Sequence, residues 1–168
     1  MEMTEQPTQP FFYGPFLEAA CFCEKVLIEQ DGVKSAIRII DRINRTVVGP
    51  NPPPSMEPFD YQLSMLLKFK SGSARGPMEL RLGLEKPSGE SPAPQTQTVF
   101  FEGDDDRGVD IVANFAVQFD MPGLYWFEVA LDNIRVTRLP LRVIYLPQTR
   151  RIPGQSGGPP PSQESPRS

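Results

Sequence analysis

Residues 122–145 read PGLYWFEVALDNIRVTRLPLRVIY, from Pro122 to Tyr145, and they resolve almost residue by residue into two paired strands. Tyr125, Phe127, Val129 and Leu131 share one parity, and Asp132 with Asn133 follow. Both residue types tolerate the positive φ of a tight two-residue turn, so this spacing predicts a β-hairpin. The return strand starts with Ile134 and Val136 and continues as Leu139, Leu141, Val143 and Tyr145, which slips the apolar parity by one residue. Such a slip predicts a β-bulge or bend at Thr137 and Arg138. Pro140 has no N–H to give to a ladder, so the strand is expected to lie at an edge or to change partner there.

Working outward, the same alternation recurs along the chain. Ala20, Phe22, Val26 and Ile28 mark a first strand over 19–28, and Asp31 with Gly32 make a hairpin turn. The next strand is expected to run from Val33 to about Val48, long enough to need a bulge or a twisted ribbon. Pro52, Pro53 and Pro54 exclude strand interior and helix, and make 49–58 a stiff crossover. Leu63, Met65, Leu67 and Phe69, then Met78, Leu80, Leu82 and Leu84, then Val99 and Phe101, define three further strands. Val109, Ile111, Ala113, Phe115, Val117 and Phe119 give the most regular one.

About eight strands with no helical period predict an all-β fold: a single antiparallel β-sandwich, immunoglobulin-like or jelly-roll-like. The domain is expected over 18–146, after an extended lead-in over 1–17 that contains Pro7, Pro10, Gly14 and Pro15. The Pro-, Gly- and Ser-rich segment 147–168 has almost no apolar content and is expected to be a disordered tail.

Composition bounds the rest. At 168 residues, 39% hydrophobic and 23% charged, the chain suits one domain. Folding at this size buries roughly two-thirds of the unfolded surface, so a core forms without disulfides or metal. The formal charge is −4 overall, and the part before residue 147 carries 14 basic and 20 acidic residues, a net −6. That balance argues against nucleic acid and anionic membranes as partners. There is no apolar run of membrane-spanning length and no signal-like N-terminus, so a cytoplasmic location is expected. Cys21 and Cys23 stand two apart on one strand face with Cβ atoms roughly 6–7 Å apart, too far for a bridge, and read as free thiols.

The run Ala20-Cys21-Phe22-Cys23-Glu24-Lys25-Val26-Leu27, followed by Asp31 to Asp41, resembles the opening of a family of small bacterial proteins classed only as a domain of unknown function. Gly123-Leu124-Tyr125 and Leu139-Pro140-Leu141-Arg142-Val143 are similar to its closing segment. The resemblance implies a bacterial, cytosolic β-sandwich and brings no activity or catalytic residue with it.

The chain has no histidine, which removes the commonest general base, and no nucleophile elbow, phosphate loop or paired-carboxylate motif is present. A carboxylate hydrolase has no assembled site, and no catalytic residue or cofactor is expected. Asp104, Asp105 and Asp106 form the most suggestive polar cluster for a hard cation such as Ca²⁺. Their loop lacks the alternating Asp spacing of calcium loops, and Arg107 sits inside it, so a solvated acidic turn is the plainer reading. The basic stripe Lys34, Arg38 and Arg42 reads as a solvated or protected edge. Phe11, Phe12 and Tyr13 are too apolar to leave in water, and Trp126 falls on the face opposite Tyr125. These four are the candidate interface, with the tryptophan either covered by the N-terminal aromatics or given to a partner. The leading expectation is a non-enzymatic β domain that works through contacts with a protein partner or by self-association. The alternative is a calcium-dependent ligand- or carbohydrate-binding module built on residues 103–108.

Overall fold

A computed structural model describes residues 11–150, and every regular element among them is a strand. The nine strands are β1 (Phe16–Ile28), β2 (Lys34–Ile40), β3 (Arg42–Gly49), β4 (Phe59–Lys70), β5 (Gly76–Glu85), β6 (Gln95–Phe101), β7 (Gly108–Phe119), β8 (Gly123–Leu131) and β9 (Ile134–Thr149). They form a four-stranded sheet in the order β2-β1-β4-β7 and a five-stranded sheet in the order β3-β9-β8-β5-β6. From β4 onward most of the residues that alternation turns inward form one core shared by the two sheets, whereas Ile28, Val33, Ile37 and Ile39 around the β1–β2 turn, expected on the inward face, are exposed. Leu63, Met65, Leu67 and Phe69 of β4 are buried, as are Leu80, Val99, Phe101, Tyr125, Phe127, Val129, Leu131, Leu141 and Val143 opposite them. Aromatic pairs join the layers, with ring centroids 4.8 Å apart for Phe22 and Phe127 and 4.9 Å for Phe119 and Tyr125. Edge-to-face pairs of this kind add to the burial of area itself.

The hairpin over 122–145 forms as its spacing predicts, with Asp132 and Asn133 at φ 46° and 64°. The bulge falls at Val136, just ahead of the expected Thr137 and Arg138, because Val129 pairs with Thr137 while Ala130 pairs with Arg135. Pro140 pairs with Trp126 on one side, and β3 joins β9 on the other side only from Arg142 onward. The missing N–H therefore stands in the part of β9 that has no second neighbour among the described residues, as proline in a sheet requires.

Four further expectations are corrected. Residues 33–48 are not one strand: Asp41 divides β2 from β3, and the two halves enter different sheets, which raises the count to nine. The fold is not wholly antiparallel, since β3 pairs with β9 in parallel over Arg42–Gly49. The parallel partner also lengthens β9 to Thr149, so residues 147–149 of the expected tail are strand, and Arg150 N–H donates to Gly49 O at 2.9 Å. At the other end β1 begins at Phe16, within the expected lead-in. The rest of the tail and residues 1–10 lie outside the described residues.

The β1–β2 hairpin has a further property. In the sheet β1 and β4 separate β2 from β7, yet Lys34 Nζ lies 3.3 Å from Asp110 Oδ2 on β7. The distal half of the hairpin therefore folds back over the outer face of the sheet, with Arg38 at φ 53° marking the bend. A polar hollow of 260 Å³ remains between Asp31–Lys34 and the Leu66, Lys68 and Asp110 side chains. Beneath this flap Cys23 has 0% exposure although its side chain points away from the core. Burial raises the pKa of both free thiols, and the neighbouring Cys21 adds to the rise at Cys23.

Candidate functional site

Pro92 and Pro94 stand just before β6, and proline cannot donate to a ladder. β6 accordingly pairs with β5 only over Gly76–Leu82, while β5 runs on to Glu85 against β8. Where the sheet edge retreats, Leu82, Leu84 and Phe127 of one sheet line the floor of an opening toward Phe115 and Val117 of β7, the last strand of the other, with Gln95 and Gln118 also on its wall. The result is an apolar groove of 270 Å³, rimmed by Pro92 and Ala93. A further hollow of 140 Å³, between Gln95–Gln97 of β6 and Val112–Asn114 of β7, shares Leu82 and Gln95 with it, so the groove continues along the β6–β7 seam.

A network of charged and polar groups closes one end of this seam. Lys86 Nζ lies 2.9 Å from Asp120 Oδ2 and 3.0 Å from Glu90 Oε2. Tyr125 Oη lies 3.2 Å from Asp120 Oδ1 and donates to Met121 O at 2.8 Å. The Lys86 ammonium holds the Asp120 carboxyl below its ordinary range, and Asp120 in turn raises Lys86. Burial raises the Tyr125 phenol. This network ties the loop after β5 to the corner between β7 and β8. Lys86 itself is part of the groove wall.

Four strands lie at sheet edges, and their protection is unequal. β2 carries Lys34 and Arg38, and β3 carries Arg42 and Arg45. β6 has no charged residue, and neither does β7 from Ile111 to Phe119. β7 also pairs with β4 through twelve residues without a register shift. Edge strands are ordinarily blunted by charge, proline or a bulge, because their free N–H and C=O groups will pair with any strand that fits. The β2–β3 seam follows that rule, and the β6–β7 seam leaves its longer strand without a neighbour among the described residues, beside an apolar groove.

The residues expected to act fall elsewhere. The acidic loop and the Ser71–Gly76 turn lie together: Gly72 N–H donates to Asp105 O at 2.8 Å, and Ser71 N–H to Arg107 O at 2.9 Å. The Asp105 carboxylate is engaged by Arg75 at 2.8 Å, and Lys70 Nζ binds the main-chain oxygen of Asp106. Among the described residues no three carboxylate or thiol groups gather around one point, so Asp104, Asp105 and Asp106 are not assembled into a cation cage. Asp132 instead pins its turn to β5, accepting from Glu79 N–H at 2.8 Å.

Phe11 packs partly on the core, while Phe12 and Tyr13 are 66% and 70% exposed. Their segment is fastened to the Ser71–Ser73 turn through Ser73 N–H to Tyr13 O at 2.7 Å. Trp126 is half-buried on the outer face of the five-stranded sheet, and its cover is Arg138, whose guanidinium lies 4.7 Å from the ring centroid. Glu85 holds that guanidinium at 2.6 Å, and a hollow of 140 Å³ between Trp126, Gly83 and Pro94 lies beside it. The four candidate interface residues therefore do not form one patch.

Sequence reasoning missed the seam itself. Its signals were the prolines ahead of Gln95 and the lack of charge from Ile111 to Phe119. No helix among the described residues is long and apolar enough to cross a membrane. No curated protein matches the chain. A model described as a family of unknown function (DUF6941) matches residues 18–144, which reach from within β1 to within β9, and the chain belongs to that family.

Proposed function

We propose that the chain is a non-enzymatic β-sandwich that works through protein contacts, in an accessory or scaffolding role, and that its contact site is the β6–β7 seam. The observation that carries this reading is the uncharged, unbroken edge of β7 beside an apolar groove. An extended chain laid there satisfies the free backbone groups and covers the apolar side chains together, which is how strand addition recognises a partner. The resemblance of the first two strands to small bacterial proteins extends the reading to a bacterial, cytoplasmic protein.

We further infer an immunoglobulin-like sandwich. In that architecture one sheet has the order ABED and the other CFG, with C′ beside C in the variable type. Taking β1, β4 and β7 as A, B and E, and β9, β8, β5 and β6 as G, F, C and C′, reproduces the order of seven strands. Tyr125 at the start of β8, bonded back to Met121 O, supports this reading because a tyrosine corner occupies that position in strand F. The lane that strand D would fill, beside β7, is empty among the described residues.

A photo-reactive benzophenone side chain at Ala116, which is exposed on β7, tests the contact site. Introduced into the full chain in its native cell, it is expected to give a discrete protein adduct whose linkage maps to β7. The same group at Gln62, one strand inward and paired with Ala116, serves as control. No adduct from Ala116, or equal adducts from both positions, refutes the reading.

A further inference from the structure

We infer that the occupant of the β6–β7 seam is the same seam of a second copy of this chain, in a twofold dimer that joins the sheets edge to edge. The inference rests on the proposed contact site and names its partner.

A twofold contact presses a surface against itself, so each strand runs antiparallel beside its own copy. In the pair each residue faces the one that the register sets opposite it, and a residue at the axis faces itself, so a charge there meets a like charge, which is destabilising. A strand free of charge carries no such penalty in any register, and β7 is uncharged from Ile111 to Phe119. Small and neutral side chains, Asn114, Ala116 and Gln118, occupy its exposed positions.

A lone peptide would need only one bare edge. The seam provides two, because β6 also lacks charge, whereas both strands of the opposite seam carry arginine or lysine. Apposing two seams sets β7 against β7 and brings the β6 edges toward one another, which closes both grooves at once. The two strands with the rim at Lys86, Pro92 and Ala93 hold about fifteen residues in each copy that are not buried in its own core, short of the ~20–30 a side of a standard stable interface, which places the dimer in the smaller, weaker class. The empty lane beside β7 is then filled by the β7 of the other copy.

Sedimentation velocity of the full chain at tens of micromolar is expected to show a dimer. Ala116→Lys and Thr96→Lys, each at an exposed edge position, are expected to weaken the dimer by roughly tenfold or more while circular dichroism and melting report an intact fold. Gln62→Lys places the same charge one strand inward and is expected to leave the dimer unchanged. In hydrogen exchange, the β7 amides are expected to gain protection with protein concentration. A chain that stays monomeric, or a dimer that withstands both edge lysines, overturns the inference. Crosslinking from Ala116 to a different protein also overturns it, and leaves the contact site itself standing.

Discussion

The phenolic oxygen of Tyr125 lies 2.8 Å from the carbonyl oxygen of Met121 and donates to it across the corner that joins β7 to β8. The same oxygen accepts from Met121 N–H at 3.3 Å and meets Asp120 Oδ1 at 3.2 Å, although the tyrosine as a whole is buried. Tyr125→Phe keeps the ring among Phe119 and its neighbours and removes only the hydroxyl. Part-buried partners left without their bond cost about 1–3 kcal/mol, and stability is expected to fall by about that amount. Urea denaturation checks this: the midpoint should drop at constant slope, and an unchanged midpoint removes the corner from the list of stabilising features.

Acid stability is expected to depend on Asp120. Its carboxyl titrates lower in the folded chain than in the unfolded one, chiefly through the bond from Lys86. A depressed carboxyl contributes stability that is present above the unfolded pKa, roughly 4, and is lost as pH falls through the lower folded value. Asp120→Asn is therefore expected to destabilise at neutral pH and to flatten the loss of stability below about pH 4. Melting curves of both proteins from pH 7 to pH 3 decide it: parallel curves over that whole range contradict the assignment.

The two features most open to reading in the sequence were those set by local rules. Asp132-Asn133 announced its turn through the residues that tolerate positive φ, and alternation placed Leu63 through Phe69 in the core. The break at Asp41 was not legible, because Ile37, Ile39 and Ile43 keep one parity across it, although Ile37 and Ile39 are exposed, Ile40 packs on the core and Ile43 is buried in the other sheet. The parallel pairing of β3 with β9 and the fold-back of the β1–β2 hairpin are long-range choices that no local pattern encodes. Asp120, Gly123 and Tyr125 did contain the corner's signal, at a spacing whose meaning depends on where the chain turns back between sheets. The seam was hidden differently, since it consists of missing charges and a strand that stops short.

The flap over the outer face makes a kinetic prediction. Lys34 and Asp110 clamp it, and Lys68 Nζ lies 3.6 Å from the other oxygen of Asp110. Lys34→Ala removes the clamp without touching the core, so the hairpin should open more often and uncover Cys23. Alkylation of Cys23, followed by mass spectrometry, is expected to be faster in the variant by severalfold while the melting temperature stays nearly constant. An unchanged rate means that the flap is held by its apolar contacts instead.

Trp126 is the sole tryptophan, so its emission reports on one place. Arg138 covers the ring and is itself held by Glu85. Arg138→Ala is expected to shift the emission to the red and to raise quenching by iodide, since water replaces the guanidinium. Deleting residues before Phe16 is expected to leave both readouts alone, because Phe12 and Tyr13 belong to the Ser71–Ser73 end. The reverse pattern would return the N-terminal aromatics to the role of cover.

Gly123 opens β8 at φ 145°, and a Cβ built there would lie 2.7 Å from Pro87 Cγ and 2.8 Å from Pro87 Cβ. Two separable penalties follow for Gly123→Ala: a backbone conformation that L side chains rarely adopt, and a collision with a rigid ring. Each is worth about 1–3 kcal/mol. Pro87→Ala removes the Cγ and with it the closest contact, but it leaves φ as it is. In a double-mutant cycle Pro87→Ala is therefore expected to recover part of the loss, with a coupling of about 1 kcal/mol. Full recovery would make the cost wholly steric. No recovery would mean that the Cγ contact carries none of the loss, which then lies in the backbone conformation and in the contact with the Cβ that alanine at 87 retains.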